Sequence, residues 1–329
     1  MTPTPSGAAL PPDWTTVEVS RRASVADDIA LFELRPASGR PLPPFTAGAH
    51  IDVRLPGGAI RQYSLCNDPA ESDRYELAIQ REPAGRGGSQ AAHAHVDVGT
   101  RLEVGSPRNL FALQAGRHAV LLAGGIGITP LMAMAAQLTR EERSFELHYS
   151  ARSTARMAFR ERLAEAPFAW RSRLYVDDVP SQRFDAARHV PDPAPETHAY
   201  VCGPGGYMDH VVEVLHAKGW ADAHIHLERF SAPAERDPGD AFEIQIGHDG
   251  PVIAVPAGQS VAAALAAAGH AVPLSCEQGI CGTCATRVLA GVPDHQDMFL
   301  TEAEKAANDR FTPCCSRSRS ARLVIDLAR

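Results

Sequence analysis

The sequence predicts a multi-domain protein of the β and α/β class. It indicates an antiparallel barrel, a parallel α/β domain and a C-terminal β-grasp domain. Short β-like segments bounded by Gly, Pro or Asp fill the first third of the chain, which is typical of a barrel. Apolar strands alternate with helical segments in the middle third, which favours a parallel sheet. The last third has a hairpin pattern, one short helix and a cysteine-rich loop.

Changes in the pattern place the domain limits. A lead-in rich in Pro and small residues covers 1–13 and is expected to be disordered. It lacks the basic start and apolar core of a signal peptide. The barrel is predicted over 14–113 and the α/β domain over 114–229. Residues 230–240 combine Pro, Gly and charge without periodicity, so they are predicted to be a linker before the last domain at 241–329.

Composition excludes several classes of function. A net charge of −7 gives no indication of nucleic-acid binding. No apolar run approaches the ~18 residues of a membrane span. Five of the seven cysteines lie near the C-terminus. We therefore expect a reducing compartment, the cytoplasm, in which thiolates bind metal.

The barrel strand that begins at Arg61 carries the first chemical pattern. Alternation places Arg61 and Tyr63 on one face, with Gln62 and Ser64 on the other. An arginine beside an aromatic ring suits a phosphorylated planar ligand, since one binds charge and the other stacks. The alternative is an ordinary barrel strand with a core tyrosine.

A glycine-rich stretch, GRGGS, forms the second pattern of the barrel. Consecutive glycines allow backbone N–H groups to surround an anion, and Ser89 adds a hydroxyl after Gly87 and Gly88. A glycine-rich hairpin turn is the alternative. The occurrence of both patterns in one barrel favours a ligand.

The α/β domain begins with a continuous apolar run at 118–125, as expected of a buried parallel strand. A glycine turn with Gly125 and Gly127 follows, and we expect Thr129 to cap the next helix with Pro130 at its first position. This arrangement directs a helix N-terminus at a phosphate. It is not the G-x-G-x-x-G fingerprint, because Pro130 replaces the third glycine.

A second glycine turn follows the strand predicted at 199–202 and begins at Gly203 and Pro204. Both turns come at carboxyl ends of parallel strands, where ligands bind in such sheets. Cys202 therefore stands where a nicotinamide would lie, although a lone buried cysteine is more often part of the packing.

Cys276, Cys281 and Cys284 have the C-x4-C-x2-C spacing of a plant-type [2Fe–2S] site. Such a site needs a distant fourth thiolate, which Cys314 or Cys315 can supply. A structural zinc site usually shows two C-x2-C pairs, and this chain has one. A Rieske centre needs two His ligands and the chain has no C-x-H motif.

These patterns occur in the same order as in the phthalate dioxygenase reductase family of iron–sulfur flavoproteins, which the chain resembles from about residue 14 onwards. The shared motifs are RQYSLCN, GRGGS, GGIGITP, CGPGGYM and the cysteine spacing. The resemblance implies an FMN barrel, an NADH domain and a ferredoxin domain. It also implies NADH over NADPH, although Arg152 stands where it can attract a 2′-phosphate.

The resemblance implies three groups of binding residues. For FMN they are Arg61, Gln62, Tyr63, Ser64, Ala78, Ile79, Gln80, Gly87, Gly88, Ser89, Thr129 and Phe230. For NADH they are Gly125, Gly127, Cys202, Gly203 and Pro204. For the cluster they are Cys276, Cys281, Cys284 and Cys314, with Cys315 as a neighbour, because relatives often have an apolar residue after the fourth cysteine.

The implied activity is that of an oxygenase reductase. Electrons pass from NADH through FMN and the cluster to a separate Rieske-type oxygenase or demethylase that acts on an aromatic acid or similar small molecule. No side chain is assigned as a general acid or base, and a monomer is expected. Two alternatives stay open: a cytochrome P450 or non-aromatic oxygenase as partner, and a ferredoxin-like redox-sensing module.

Overall fold

A computed structural model describes residues 14–230 and 238–327, which form two compact units, one from each range. The predicted lead-in at 1–13 and most of the predicted linker, at 231–237, lie outside the described residues. The proposed domain limits stay a prediction.

The elements of the first unit are β1 (Thr15–Ala26), β2 (Ile29–Pro36), β3 (His50–Arg54), β4 (Ile60–Ser64), β5 (Tyr75–Gln80), α1 (Gly88–His95), β6 (Arg101–Val104), β7 (His118–Gly124), α2 (Ile128–Arg140), β8 (Ser144–Ala151), α3 (Arg160–Glu165), β9 (Ser172–Val176), α4 (Ala186–His189), β10 (Thr197–Cys202), α5 (Gly205–Ala217) and β11 (Ile225–Glu228). Those of the second unit are β12 (Phe242–Ile246), β13 (Val252–Val255), α6 (Val261–Ala267), β14 (Thr286–Ala290), β15 (Pro293–Asp294), α7 (Glu302–Ala307), β16 (Arg310–Phe311), β17 (Arg317–Ser318) and β18 (Arg322–Asp326).

The predicted antiparallel barrel is confirmed. Its six strands pair in the order β4-β3-β6-β1-β2-β5, and a bridge between Leu65 and Leu77 joins the two ends of the sheet. Alternate residues such as Val17 and Val19 on β1 are fully buried in the barrel core. Closure brings β4 beside β5, the two strands predicted to contact FMN.

The parallel α/β sheet is also confirmed, with strand order β11-β10-β7-β8-β9. The strand order reverses at β7, so β7 and β10 are neighbours although they are distant in the chain. Ligands of such sheets bind in the crevice at this switch point. Phe111 and Ala78 of the barrel pack in one core with Met132 of α2, which explains why both parts form one unit.

The second unit has a mixed five-stranded sheet in the order β13-β12-β18-β14-β16, in which β12 and β18 are parallel. Helix α6 packs on this sheet, as the β-grasp prediction requires. Its N-cap is Ser260, whose hydroxyl accepts a hydrogen bond from the Ala263 N–H at 3.2 Å, as predicted.

Two local predictions need correction. Thr129 is not the N-cap of α2, because the turn at Gly125–Gly127 is already helical and the helix begins at Ile128. The Thr129 hydroxyl instead donates to the Ile126 carbonyl at 3.0 Å. Pro130 is accordingly the third residue of α2 and not the first. The alternative of a hairpin turn at the glycine-rich stretch is excluded, since that stretch starts helix α1. No helix in the two described ranges is long and apolar enough to cross a membrane.

Candidate functional site

The start of α1 lies against the Arg61 side chain of β4. Gly87 precedes the helix with a φ of 77°, in the left-handed region that favours glycine. The Arg61 side chain lies against Gly88, where an added Cβ would be 2.6 Å from Arg61 Cγ. The guanidinium donates to the carbonyl oxygens of Ile60 at 2.8 Å and Arg86 at 3.0 Å, which holds it beside the first turn of α1. A guanidinium beside a helix N-terminus is suited to a phosphate, so these residues fit the phosphate of FMN.

The predicted FMN residues of β4 and β5 lie at the joined edges of the barrel, whereas Thr129 is on α2 and Phe230 follows β11. Tyr63 is half-buried on β4, and burial raises the pKa of its hydroxyl to about 12, so it stays neutral. Ala78 and Ile79 are buried on β5, whereas Gln80 is partly exposed at the end of that strand. The Ser89 hydroxyl accepts a hydrogen bond from the Glu82 N–H at 3.0 Å, so it also orders the loop before α1.

The two glycine turns of the α/β domain touch each other at the switch point. A Cβ on Gly127 would lie 2.3 Å from the Cys202 carbonyl oxygen, and a Cβ on Gly203 would lie 3.0 Å from Gly124. Side chains at these positions would therefore push the turns apart. Gly125, Gly127 and Gly203 therefore leave a backbone surface without side chains at the switch point, and such a surface fits a dinucleotide.

The carboxyl end of β10 faces the barrel through a residue that the sequence analysis missed, Glu228 at the end of β11. The Ser64 hydroxyl donates to Glu228 Oε2 at 3.3 Å, and Cys202 lies close enough to interact with the same carboxyl. Burial raises the pKa of Glu228 to about 8, with the Ser64 hydrogen bond opposing that shift. Burial also raises the pKa of the Cys202 thiol. At neutral pH the carboxyl that Ser64 contacts is therefore protonated, and the Cys202 thiol beside that carboxyl is neutral.

His50 is the second missed residue of this pocket. Its Nδ1 lies 4.0 Å from Glu228 Oε1, and its Nε2 lies 3.4 Å from Gln62 Nε2. Burial, followed by the charge of Arg108, lowers the pKa of His50 to about 4, so the ring is neutral. Neither residue belongs to a motif that the sequence analysis identified. Glu228 lies in the HLERF stretch, two positions before Phe230. Phe230 itself is 41% exposed at the end of the first unit.

Four of the five cysteines of the second unit lie in two pairs, and the fifth, Cys315, lies beside Cys314. Cys276 is within hydrogen-bonding reach of Cys281, and Cys284 is within reach of Cys314. In the described ranges no group of three His, Cys, Asp or Glu side chains is arranged around a single metal ion. Two thiol pairs match a two-iron cluster, in which four thiolates serve two irons. The donor set therefore fits [2Fe–2S].

The environment of Cys315 differs from that of Cys314. The Cys314 sulfur accepts a hydrogen bond from the Gly279 N–H and contacts Cys284. Cys315 Sγ lies 3.1 Å from Thr312 Oγ1. Cys315 also interacts with Cys314 and packs with it and Cys284, so the contacts that distinguish Cys314 are those with Cys284 and with the Gly279 N–H. This geometry supports the choice of Cys314 as the fourth ligand.

Two family matches agree with this division. Residues 245–319 match the family described as the 2Fe-2S iron–sulfur cluster binding domain. Residues 121–213 match the oxidoreductase NAD-binding domain. They cover the cysteine loop and both glycine turns.

Relatives cover nearly the whole chain. Vanillate O-demethylase oxidoreductase from Pseudomonas sp. is 52% identical over 94% of this chain and 99% of its own length. The structure of phthalate dioxygenase reductase, described as modular for electron transfer from pyridine nucleotides to [2Fe–2S], is 36% identical with a TM-score of 0.75, and covers 96% of this chain and 98% of that chain. An intact type IV self-sufficient cytochrome P450 monooxygenase is 40% identical with a TM-score of 0.83, over 95% of this chain and 41% of that chain. This chain therefore belongs to the phthalate dioxygenase reductase and vanillate O-demethylase oxidoreductase family, as an NAD-linked flavin and [2Fe–2S] oxidoreductase.

Proposed function

We propose that this protein takes electrons from NADH and delivers them, through FMN and its [2Fe–2S] cluster, to a separate Rieske-type oxygenase. The single observation that carries the first step is the convergence of Ser64 and Cys202 on Glu228. It places the proposed flavin strand beside the proposed nicotinamide turn, in a pocket that buries a carboxyl group. Such a pocket excludes water from a hydride transfer.

The protein's own residues hold and orient the cofactors. Arg61 and the first turn of α1 would bind the FMN phosphate, and Ser64 would orient the ring edge that faces the nucleotide. Gly127 and Gly203 would admit the dinucleotide backbone. Bound FMN accepts the two electrons of a hydride and passes them on singly, which a one-electron cluster requires. No side chain is proposed as a general acid or base.

We propose the same site residues and domain bounds that the sequence predicts. We propose Arg61, Gln62, Tyr63, Ser64, Ala78, Ile79, Gln80, Gly87, Gly88, Ser89, Thr129 and Phe230 for FMN, Gly125, Gly127, Cys202, Gly203 and Pro204 for NADH, and Cys276, Cys281, Cys284 and Cys314 for the cluster. The proposed domains are 14–113, 114–229 and 241–329, joined by 230–240. We propose that the protein acts as a monomer in the cytoplasm.

The proposed substrate of the partner is an aromatic acid or similar small molecule. The vanillate and phthalate systems of the relatives support this choice. A second candidate partner is a cytochrome P450, since the matching segment of the type IV enzyme is part of a P450 monooxygenase.

The test is NADH-dependent product formation with purified partners. We expect this chain to support O-demethylation of vanillate or hydroxylation of phthalate by a Rieske oxygenase. It should fail with the Cys281→Ser variant, in which FMN is still reduced but the cluster is lost. Turnover with a P450 and none with any Rieske oxygenase would favour the second candidate. Comparing NADH with NADPH in the same assay tests the nucleotide preference, and equal rates would contradict it.

A further inference from the structure

Asp297 is a buried carboxylate beside the cysteine loop. Its side chain has 0% exposure. Oδ2 accepts hydrogen bonds from the N–H groups of Phe299 at 3.1 Å and Leu300 at 2.7 Å. Within 238–327 the His295 ring lies beside it, with Nδ1 3.6 Å from Oδ1, and no Lys or Arg of the described chain forms an ion pair with it.

Gly279 separates Asp297 from the cysteine sulfurs. A Cβ on Gly279 would lie 3.0 Å from both Cα and Cβ of Asp297 and 2.4 Å from Cys315 Sγ. The Gly279 N–H points to Cys314, and its carbonyl accepts a hydrogen bond from the Met298 N–H at 2.9 Å. Gly279 is therefore the residue that lies between Asp297 and Cys314, the proposed fourth ligand.

Ser316 provides a second connection between Asp297 and the cysteines. Its hydroxyl donates to Asp297 Oδ1 at 3.3 Å and lies 2.9 Å from the Thr312 hydroxyl. The Thr312 hydroxyl in turn lies 3.1 Å from Cys315 Sγ. Thr312 and Ser316 are fully buried, so water does not screen these contacts.

We propose that Asp297 is a positioning residue that lowers the reduction potential of the [2Fe–2S] cluster, and that the Ser316 hydroxyl moderates this effect. Reduction adds one electron to the cluster, and no bond is made or broken. A buried negative charge nearby disfavours that added charge, because the interior screens it far less than water does. Hydrogen bonds and net charge around a cluster are known controls of its potential. The cluster thereby becomes a stronger electron donor to the acceptor protein.

The inference rests on the proposed ligand set and is tested on the full-length protein with its cofactors. The cluster's midpoint potential is measured by electrochemical titration followed by electron paramagnetic resonance, with iron and sulfide counted per chain. In Asp297→Asn we expect full cluster content and a higher potential, since the shape is kept and the charge removed. In Ser316→Ala we expect a lower potential, since the carboxylate loses the hydroxyl that partly neutralises it.

Asp294→Asn is the matched control. Asp294 is on the same segment, but it is partly exposed and its charge is paired with Arg319 at 3.1 Å, so its loss should leave the potential unchanged. The proposal is overturned if Asp297→Asn keeps the wild-type potential, or if Asp294→Asn raises it equally. Should Asp297→Asn fail to hold the cluster, an unchanged or higher potential in Ser316→Ala overturns it. A wild-type chain without iron and sulfide would refute the ligand set instead.

Discussion

Replacing Glu228 with glutamine should make the free energy of unfolding of the first unit much less dependent on pH. In the folded protein, burial raises the pKa of this carboxyl to about 8 from an ordinary value of 4.5. The unfolded chain therefore releases the proton at lower pH than the folded chain does. Between these two values unfolding releases a proton, so the stability of the wild-type protein falls as the pH rises.

The magnitude follows from the two pKa values. A tenfold change in proton affinity corresponds to about 1.4 kcal/mol, so full ionisation of Glu228 costs about 5 kcal/mol. From pH ~5.5 to pH ~8 the wild-type protein should lose about 3 kcal/mol relative to Glu228→Gln. Glutamine is neutral throughout and still accepts the hydrogen bond from Ser64.

Urea unfolding followed by tryptophan fluorescence is a suitable assay. All three tryptophans, Trp14, Trp170 and Trp220, belong to the first unit, so the signal reports that unit alone. Glu165→Gln is the control, because it makes the same substitution at an exposed position of the same unit. The reasoning is refuted if the free energies of unfolding of wild type and Glu228→Gln change equally across this pH range. It is also refuted if the wild-type protein gains stability relative to the variant as the pH rises.

Three further predictions concern the other sites. Cys314→Ser should lose or strongly perturb the cluster absorption while Cys315→Ser keeps it, and the reverse result would overturn the choice of ligand. Arg61→Ala should weaken FMN binding about 10- to 100-fold in equilibrium dialysis, since charge-assisted hydrogen bonds contribute about 1.5–3 kcal/mol; Arg101→Ala, on an exposed barrel arginine, should not. Gly127→Ala should destabilise the first unit by about 1–3 kcal/mol and raise the KM for NADH, because the new methyl meets the Cys202 carbonyl. Wild-type stability and KM would contradict the close approach of the two turns.

The architecture was predictable because each part has its own periodicity. The apolar run at 118–125 is typical of a buried strand in a sheet covered on both faces, and β7 is that strand. The cysteine spacing indicated the cluster in the same direct way, since one short loop must supply three thiolates. Helix starts were harder to predict. Glycines at Gly87 and Gly127 begin helices here, although glycine usually indicates a turn.

The pocket around Glu228 could not be predicted from the sequence. The pairing of β10 with β11 places Cys202 opposite Glu228, and the packing of the barrel on the sheet brings Ser64 to them. The network around Asp297 is similar, because a carboxylate in a polar loop gives no sign of complete burial. Both depend on tertiary contacts that leave no local pattern.

Anaerobic reduction of the purified protein by NADH tests the central claim most directly. The account predicts that NADH bleaches the flavin absorption and then the cluster absorption, with the paramagnetic signal of a reduced [2Fe–2S] cluster. In Cys281→Ser the flavin should still bleach, and the paramagnetic signal should be absent. A protein whose flavin and cluster both stay oxidised with excess NADH would contradict the account.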